Sequence, residues 1–397
     1  MDLSLCMIVK NEQASLPQTL NSVKAIVDEM IVLDTGSTDR TVEVAKEYGA
    51  GVYHFPWCND FAAARNEALK YVRGKWVLVL DADEVLMPEV VPQIKQAIKN
   101  DQYLVINLVR YEVGAMQCPY SLVSRLFRNH PEVNFSRPYH AMVDDSVELL
   151  LKKEPQWQVV SLPTVAMLHY GYQQEAIASL DKYNRARTAM EGYLATHPDD
   201  PYVCSKLGAL YVQMNQVDQG LELLQRGLSA NPVEPGLLFE LNYHLGNLYT
   251  RLEDIEAAAR HYQEAILQPI LPQLKLSAYN NLGNLLSSVG DLTTAKKAYE
   301  TTLQLDSGFA VGHNNLGMTL KALGELAKAI ASYQQAIALK PDYADAYQNL
   351  GVVLLKVGKV PESLSAFQKA IALHTAQNNQ IEAQRLRQGL QEMGFQV

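Results

Sequence analysis

The sequence predicts two architectures in one chain: an α/β domain with a mixed, mostly parallel sheet, then an all-α superhelix of stacked helix pairs. Three observations carry this reading. Up to about Asn100, short apolar, β-rich runs alternate with amphipathic helical stretches, the rhythm of a parallel sheet covered on both faces. From about Gly171 onward the strand signals stop and helical periodicity takes over. Within that second region a Leu-Gly pair recurs five times at nearly constant spacing.

The elements follow in order. "LSLCMIV" reads as a strand, followed by an amphipathic stretch from Leu16 to Ile26. "EMIVLD" is a second strand, followed by a helix opening at Ser37 or Thr38. "GVYHF" leads to the helix "DFAAARNEALKYV", and "WVLVLD" to the helix "PEVVPQIKQAIKN". After Gln102, "YLVINLVRYEV", "SLVSRLF" and "QWQVVSLP" read as added antiparallel or edge strands that complete the sheet. A helix from Gln173 to His197 then joins the two halves. The expected boundaries are 1–170 for the α/β domain, 171–200 for the linking helix and 201–397 for the repeats.

Bulk properties narrow the function. A chain of 397 residues has room for two cores. The net charge of −9 argues against non-specific nucleic-acid binding. Cys6, Cys58, Cys118 and Cys204 form no CxxC pair and read as reduced thiols. The N-terminal apolar run is too short for a signal peptide, and none approaches the ~20 residues of a membrane span. The expectation is a soluble, cytoplasmic protein without an integral membrane segment. Its oligomeric state is left open.

The Leu-Gly pairs begin at Leu207, Leu245, Leu282, Leu316 and Leu350, with spacings of 38, 37, 34 and 34 residues. A small residue lies twelve positions after each Gly (Gly220, Ala258, Ala295, Ala329, Ser363), and a large one four later (Leu224, Tyr262, Tyr299, Tyr333, Phe367). The pattern resembles the tetratricopeptide repeat, a 34-residue helix pair. The small residues are expected to let helices approach, and the large ones to fill the gap to the next unit. The longer spacings imply insertions near "VEPG" and "QPILPQ", and "IEAQRLRQGLQEM" reads as a capping helix. Asn281, Asn315 and Asn349 recur every 34 residues and are expected to form a ladder along the inner surface. Amides there suit the backbone of an extended peptide, although asparagine is also common at this consensus position.

The chemistry concentrates at "LDADE", where Asp81, Asp83 and Glu84 crowd the end of an apolar strand. Three such carboxylates repel one another and lose hydration. The turn after the first strand has no glycine, which excludes a Rossmann fingerprint, and no P-loop motif occurs. A divalent cation held by carboxylates, with positions open to phosphate oxygens, is the remaining nucleotide chemistry and would offset the repulsion.

"CMIVKNE", "IVLDTGSTDRT", "FPWCNDFAAARNEAL" and "WVLVLDADEVL" together resemble the successive motifs of family 2 glycosyltransferases. The resemblance covers roughly residues 2–170 and implies the nucleotide-sugar-binding fold called GT-A. The subgroup it resembles carries tetratricopeptide repeats and includes peptide S-glycosyltransferases. It implies inverting transfer from a UDP-sugar, with Mn²⁺ or Mg²⁺ as cofactor, to a protein or peptide acceptor bound by the repeats. The alternatives are a nucleotide-sugar-binding scaffold without turnover, and a transferase acting on a lipid-linked or polysaccharide acceptor.

The resemblance also implies roles. Val9, Asn11 and Glu12 would lie along the nucleoside. Asp34 would accept the uracil imide N–H, or else act as a turn residue before Gly36. Asp39 reads as an acid in a first helical turn. Arg65 would meet the diphosphate or nucleobase, or lie on an exposed helix face. Asn66 would bind nucleotide or fix its loop. Asp81 resembles the ribose contact, Ala82 lies between the two acids, and Asp83 resembles the metal ligand; Glu84 would support the loop. His169 is either a further metal ligand or an ordinary hydrogen-bonded histidine. Where relatives read His-Glu, with the Glu as candidate base, this chain reads His140-Ala141. Asp144 and Asp145 are the substitutes for the base, set against a reading of both as solvated turn residues.

Overall fold

The computed structural model describes residues 1–171, 179–231 and 233–395, with the side chains of 179–182 left out. Its contacts divide into two compact units, Met1–Ala230 and Asn231–Val397. That division differs from the expected boundaries at 170 and 200, because the first helix pair of the repeats groups with the sheet.

Eight strands build one sheet: β1 (Leu3–Val9), β2 (Glu29–Asp34), β3 (Gly51–His54), β4 (Trp76–Val79), β5 (Glu84–Leu86), β6 (Tyr103–Glu112), β7 (Tyr120–Arg128) and β8 (Gln158–His169). Their order is β3-β2-β1-β4-β7-β6-β8-β5. β1 to β4 pair in parallel, β7 joins β4 and β6 antiparallel, β8 runs parallel to β6, and β5 closes the edge antiparallel to β8. The mixed, mostly parallel sheet is therefore as expected. Six strands point the same way, so Val9, Asp34, His54, Glu112 and His169, together with the loop after β4, share one edge. Ligands of open α/β sheets bind at that carboxyl edge.

Helices cover both faces. On one side α1 (Leu16–Val23), α2 (Thr41–Glu47) and α4 (Val91–Ala97) bury Leu16, Leu20, Ala45 and Ile94 against Leu5, Leu78 and Leu126. On the other, α3 (Phe61–Leu69) and α5 (Asp144–Lys153) bury Ala64, Ala68, Val147 and Leu150 against Val77, Val79 and Phe127. Asp60 caps α3 by accepting from the Ala63 N–H at 3.0 Å. Two elements escaped the sequence reading: three-residue β5 and the whole of α5. A third is shifted, because α2 starts at Thr41, not at Ser37 or Thr38. Those earlier residues are held in the loop, where the Thr38 N–H donates to Asn11 Oδ1 at 2.7 Å.

The helix pairs begin in the first unit. After α6 (Ser179–Leu194) come α7 (Pro201–Gln213) and α8 (Val217–Ser229). Residues 172–178, the start of the expected linking helix, lie outside the described residues. Arg137, in the loop before α5, ion-pairs with Asp145 at 2.8 Å and Asp200 at 2.9 Å, and its guanidinium lies over Tyr202. Asp200 also caps α7 by accepting from the Val203 N–H. Tyr139 packs on the same cluster of α6 and α7. These contacts explain why the first helix pair belongs with the sheet.

The second unit holds the pairs α9 (Pro235–Arg251) and α10 (Ile255–Leu267), α11 (Leu276–Ser288) and α12 (Leu292–Leu305), α13 (Ala310–Ala322) and α14 (Leu326–Leu339), and α15 (Ala344–Lys356) and α16 (Val360–Ala376), then the expected cap α17 (Gln380–Glu392). The second insertion forms a short 3-10 turn at Pro272–Lys275. The repeat glycines sit under the large residues of their own pair: a Cβ on Gly246 would lie 2.6 Å from the Tyr262 ring, and one on Gly283 2.7 Å from that of Tyr299. The large residues thus seal the helix pair itself, a correction to the expectation that they fill the gap between units.

Candidate functional site

At the carboxyl edge, the loops after β1 and β2 are laced together. The Asn11 N–H donates to Ser37 Oγ, and the Glu12 N–H to Thr41 Oγ1 at 2.7 Å. Asn11 adopts a positive φ of 56°, which asparagine tolerates better than most residues. Asp34 is buried and accepts from the N–H groups of Gly36 and Ser37 at 3.2 and 3.1 Å. Burial opposes its charge, but the bonds from Ser37 and Gly36 outweigh it and hold the carboxyl below its ordinary range. Its turn role is therefore present in the fold, and the carboxylate stays an acceptor. Asp39 lies before α2, not within its first turn, and receives the Thr41 N–H at 3.0 Å.

The crowded acids have a different counter-charge from the one expected. Asp81 is paired with Arg65 at 2.8 Å and Arg125 at 2.6 Å, and a third of its side chain stays open. Burial works against its ionisation, yet Arg125 and Arg65 prevail and hold it well below the usual carboxylate range. Glu84 is fully buried, accepts the Asp81 N–H at 2.9 Å and pairs with Arg110 at 2.9 Å. It supports the loop, as expected. Three arginines thus offset the repulsion at Asp81 and Glu84, where the sequence reading had assigned that task to a dication.

Arg65 is buried, which corrects its exposed-face reading. Besides Asp81 it donates to the Ala141 carbonyl at 3.1 Å, so its guanidinium holds the strand end in place. Asn66 grips both backbone groups of Phe135, at 2.8 and 2.7 Å, and fixes its loop. The Ala82 carbonyl accepts from Thr19 Oγ1 at 2.7 Å, which ties the acidic loop to α1.

Asp83 faces an imidazole where Asp81 faces two guanidinium groups. Its Oδ2 lies 3.3 Å from His169 Nε2, and 37 % of its side chain is exposed. The opposite ring nitrogen of His169, Nδ1, meets Glu112 Oε2 at 2.5 Å. Glu112 in turn pairs with Arg110 at 2.8 Å. Burial disfavours imidazolium here, but bonds to Asp83 and Glu112 overcome it and push His169 up to about 10. The proton on Nε2 that this favours is the one a cation would displace, since a metal binds the neutral ring. An oxygen and a nitrogen donor, partly open to solvent, suit Mn²⁺ or Mg²⁺ completed by phosphate oxygens and water. No cluster of three or more His, Cys, Asp or Glu suited to a metal occurs among the described residues, so this pair would need such outside ligands.

The candidate bases are not solvated turn residues. Both open α5. Asp144 is largely buried, accepts from Ser124 Oγ at 2.8 Å and leaves Oδ2 buried without a partner. Burial pushes its carboxyl up. Asp145 is committed to Arg137 and to the Ser136 hydroxyl. The ladder asparagines are also engaged. Asn281 donates to Asn247 Oδ1 at 2.8 Å, Asn315 to Asn280 and Asn284 at 3.1 Å each, and Asn349 to Asn314 at 3.1 Å. The ladder exists, and its N–H groups stitch successive pairs together.

Sequence reasoning missed Arg110, Glu112 and Arg125. Signals were present: Arg110 and Glu112 alternate onto one face of β6, and Arg125 is the lone cation inside "SLVSRLF", where a strand charge needs a partner. A bulge does the aiming. Between Ile106↔Leu126 and Leu108↔Val123 the pairing slips by one, so Ser124 and Arg125 together oppose Asn107. That extra residue is the device by which Arg125 reaches Asp81 while Ser124 reaches Asp144.

A profile of glycosyl transferase family 2 matches residues 4–159, and tetratricopeptide profiles match 178–237, 239–267, 276–309, 319–358 and 344–384. A TPR repeat-containing protein of Synechococcus elongatus is 44% identical over 277 residues, covering 70% of this chain and 69% of its own. An uncharacterized glycosyltransferase of Rickettsia typhi is 34% identical over 154 residues, 36% of this chain and 52% of that one. The SPbeta prophage-derived glycosyltransferase SunS of Bacillus subtilis is 26% identical over 231 residues, covering 56% and 52%. The chain spans about half the length of these last two relatives. No described helix is long and apolar enough to cross a membrane.

Proposed function

The chain belongs to glycosyl transferase family 2, fused to tetratricopeptide repeats, and from that membership we propose that it transfers a sugar from a UDP-sugar to a protein or peptide acceptor, with inversion at the anomeric carbon. The observation that carries this reading is the division of labour at the strand end: Asp81 is locked by two arginines, whereas Asp83 faces His169. Asp83 and His169 would hold Mn²⁺ or Mg²⁺. When bound, the cation supplies charge stabilisation to the diphosphate leaving group, an effect worth several kcal/mol. Val9, Asn11, Glu12 and Asp34 line the adjoining loops and would bind the nucleoside; Asp81 would meet the ribose through its open third.

The acceptor side is less furnished. Asp144 has a raised pKa suited to taking a proton, but its free oxygen is buried. An acceptor approaching it would require the start of α5 to shift. Asp145 would first have to leave Arg137. These engagements favour a second reading, a nucleotide-sugar-binding scaffold without turnover. On either reading the repeats serve to bind protein. Asn281, Asn315 and Asn349 would contribute the lone pairs and open edges their stitching leaves free.

Screening nucleotide sugars for Mn²⁺-dependent hydrolysis by the intact chain tests the proposal. Turnover of a UDP-sugar supports the transferase. Binding of a UDP-sugar without hydrolysis or transfer supports the scaffold. Binding of none removes both.

A further inference from the structure

Glycine 171 follows β8 by two residues and lies beside the Asp83–His169 pair. A Cβ placed on it would stand 2.7 Å from His169 Nε2 and 3.2 Å from Asp83 Oδ2. Any other residue would therefore occupy the space onto which both donors open. Glu112 lies on the far side of the ring. Its Oε2 meets Nδ1, while its Oε1 accepts from Arg110 Nε at 2.8 Å and Ser121 Oγ at 3.1 Å. Glu112 and His169 are also register partners on the parallel strands β6 and β8, and the Val113 N–H donates to the His169 carbonyl at 3.0 Å. The carboxylate is thus anchored at one end and holds the imidazole at the other. A ring fixed through Nδ1 presents Nε2 in one direction, the arrangement that metal-binding histidines commonly have.

We propose that Glu112 and Gly171 are positioning residues of a divalent-cation site whose protein donors are Asp83 and His169: Glu112 aims the imidazole, and Gly171 keeps the coordination space empty of side chain. The inference rests on the glycosyltransferase reading for the diphosphate that completes the site. It adds two residues that supply no donor atom to the cation. It also explains a glycine at a position where no positive φ demands one. Arg110 belongs to the same device, since it pairs with both Glu112 and Glu84, the register partners of His169 on the strands flanking β8.

The test uses calorimetry on the full chain with UDP alone, and then with Mn²⁺ added. Gly171→Ala should weaken Mn²⁺ binding in the presence of UDP at least tenfold, while the affinity for metal-free UDP stays within twofold. Glu112→Gln should weaken Mn²⁺ binding about 10–100-fold, the usual cost of losing an outer partner of a ligand. Glu112→Asp should recover part of that loss, which a purely structural role would not predict. Should Glu112→Gln fail to fold because Arg110 loses its partner, Gly171→Ala still decides, since it breaks no ion pair. Unchanged Mn²⁺ affinity in Gly171→Ala would overturn the inference while leaving the glycosyltransferase reading intact. A wild-type chain that binds UDP with no response to Mn²⁺ would overturn the cation site, and one that binds no UDP would remove the reading beneath it.

Discussion

The sheet edge and the repeat stack solve the same problem, burying polar groups, in opposite ways. At the sheet edge, charges from distant parts of the chain compensate one another: Arg65, Arg110 and Arg125 come from α3, β6 and β7 to meet Asp81, Glu84 and Glu112. In the second unit, neutral amides and hydroxyls do the work at fixed sequence intervals. Tyr262 donates to Asn247 at 2.8 Å, and Tyr299 to Asn284 at 2.7 Å, one residue after the repeat glycine in each case. The same two asparagines accept from Asn281 and Asn315 of the next pair. A charge network placed where a ligand enters can respond to that ligand, whereas an amide ladder mainly holds register.

The contrast is sharpest if the two regions fail differently. Asp83→Ala removes a donor and no arginine pair, so it should abolish Mn²⁺-dependent UDP binding with the helical circular dichroism unchanged; retained binding would assign the metal elsewhere. Arg125→Ala leaves Asp81 with a single arginine. Breaking a buried pair costs about 3–5 kcal/mol, and the open third of Asp81 puts this one near the lower end, read in urea unfolding. A loss below about 1 kcal/mol would mean that Arg65 and solvent suffice. Gly283→Ala should destabilise the repeats by about 1–3 kcal/mol through overpacking against Tyr299, with UDP affinity untouched.

The ladder predicts a gain as well. The position equivalent to Asn247 and Asn284 is Met318, and the hydroxyl of Tyr333 is buried without a partner. Met318→Asn should supply an acceptor and raise stability by about 1 kcal/mol. No gain would mean that the amide cannot reach Tyr333.

The smallest effect is one of pH. Burial opposes the charge on Glu29, but Ser4 and Arg73 outweigh it and lower its pKa. A depressed folded-state pKa gives stability that is complete above the unfolded value of about 4.3 and is lost as pH falls toward the folded one. Glu29→Gln should therefore flatten the acid side of the stability profile of the sheet domain. An unchanged slope would place the acid sensitivity in other carboxylates.

What could be read from the sequence follows the same divide. The repeats were legible because glycine, small and large residues recur at fixed offsets, and a helix pair is mostly a local structure. β1, β2 and β4 were legible because each is built on a continuous apolar run, and β3 because Val52 and Tyr53 follow a helix and a glycine turn in the same rhythm. The partners of Asp81 were not, since Arg65 and Arg125 lie 16 and 44 residues away and a one-residue bulge decides where Arg125 points. The start of α5 was hidden for a related reason. Asp144 and Asp145 look like turn acids until Ser124 and Arg137 are seen to engage them.

Asp81 is already neutralised by its arginines, and Asp83 would be the acid left to a cation that helps bind a diphosphate. The most direct test of that division is a titration of the wild-type chain with UDP, with and without Mn²⁺. Binding should be measurable, strengthen at least tenfold when Mn²⁺ is present and fall back when the metal is chelated. Binding of UDP with the same affinity in chelator and in Mn²⁺ would contradict that division.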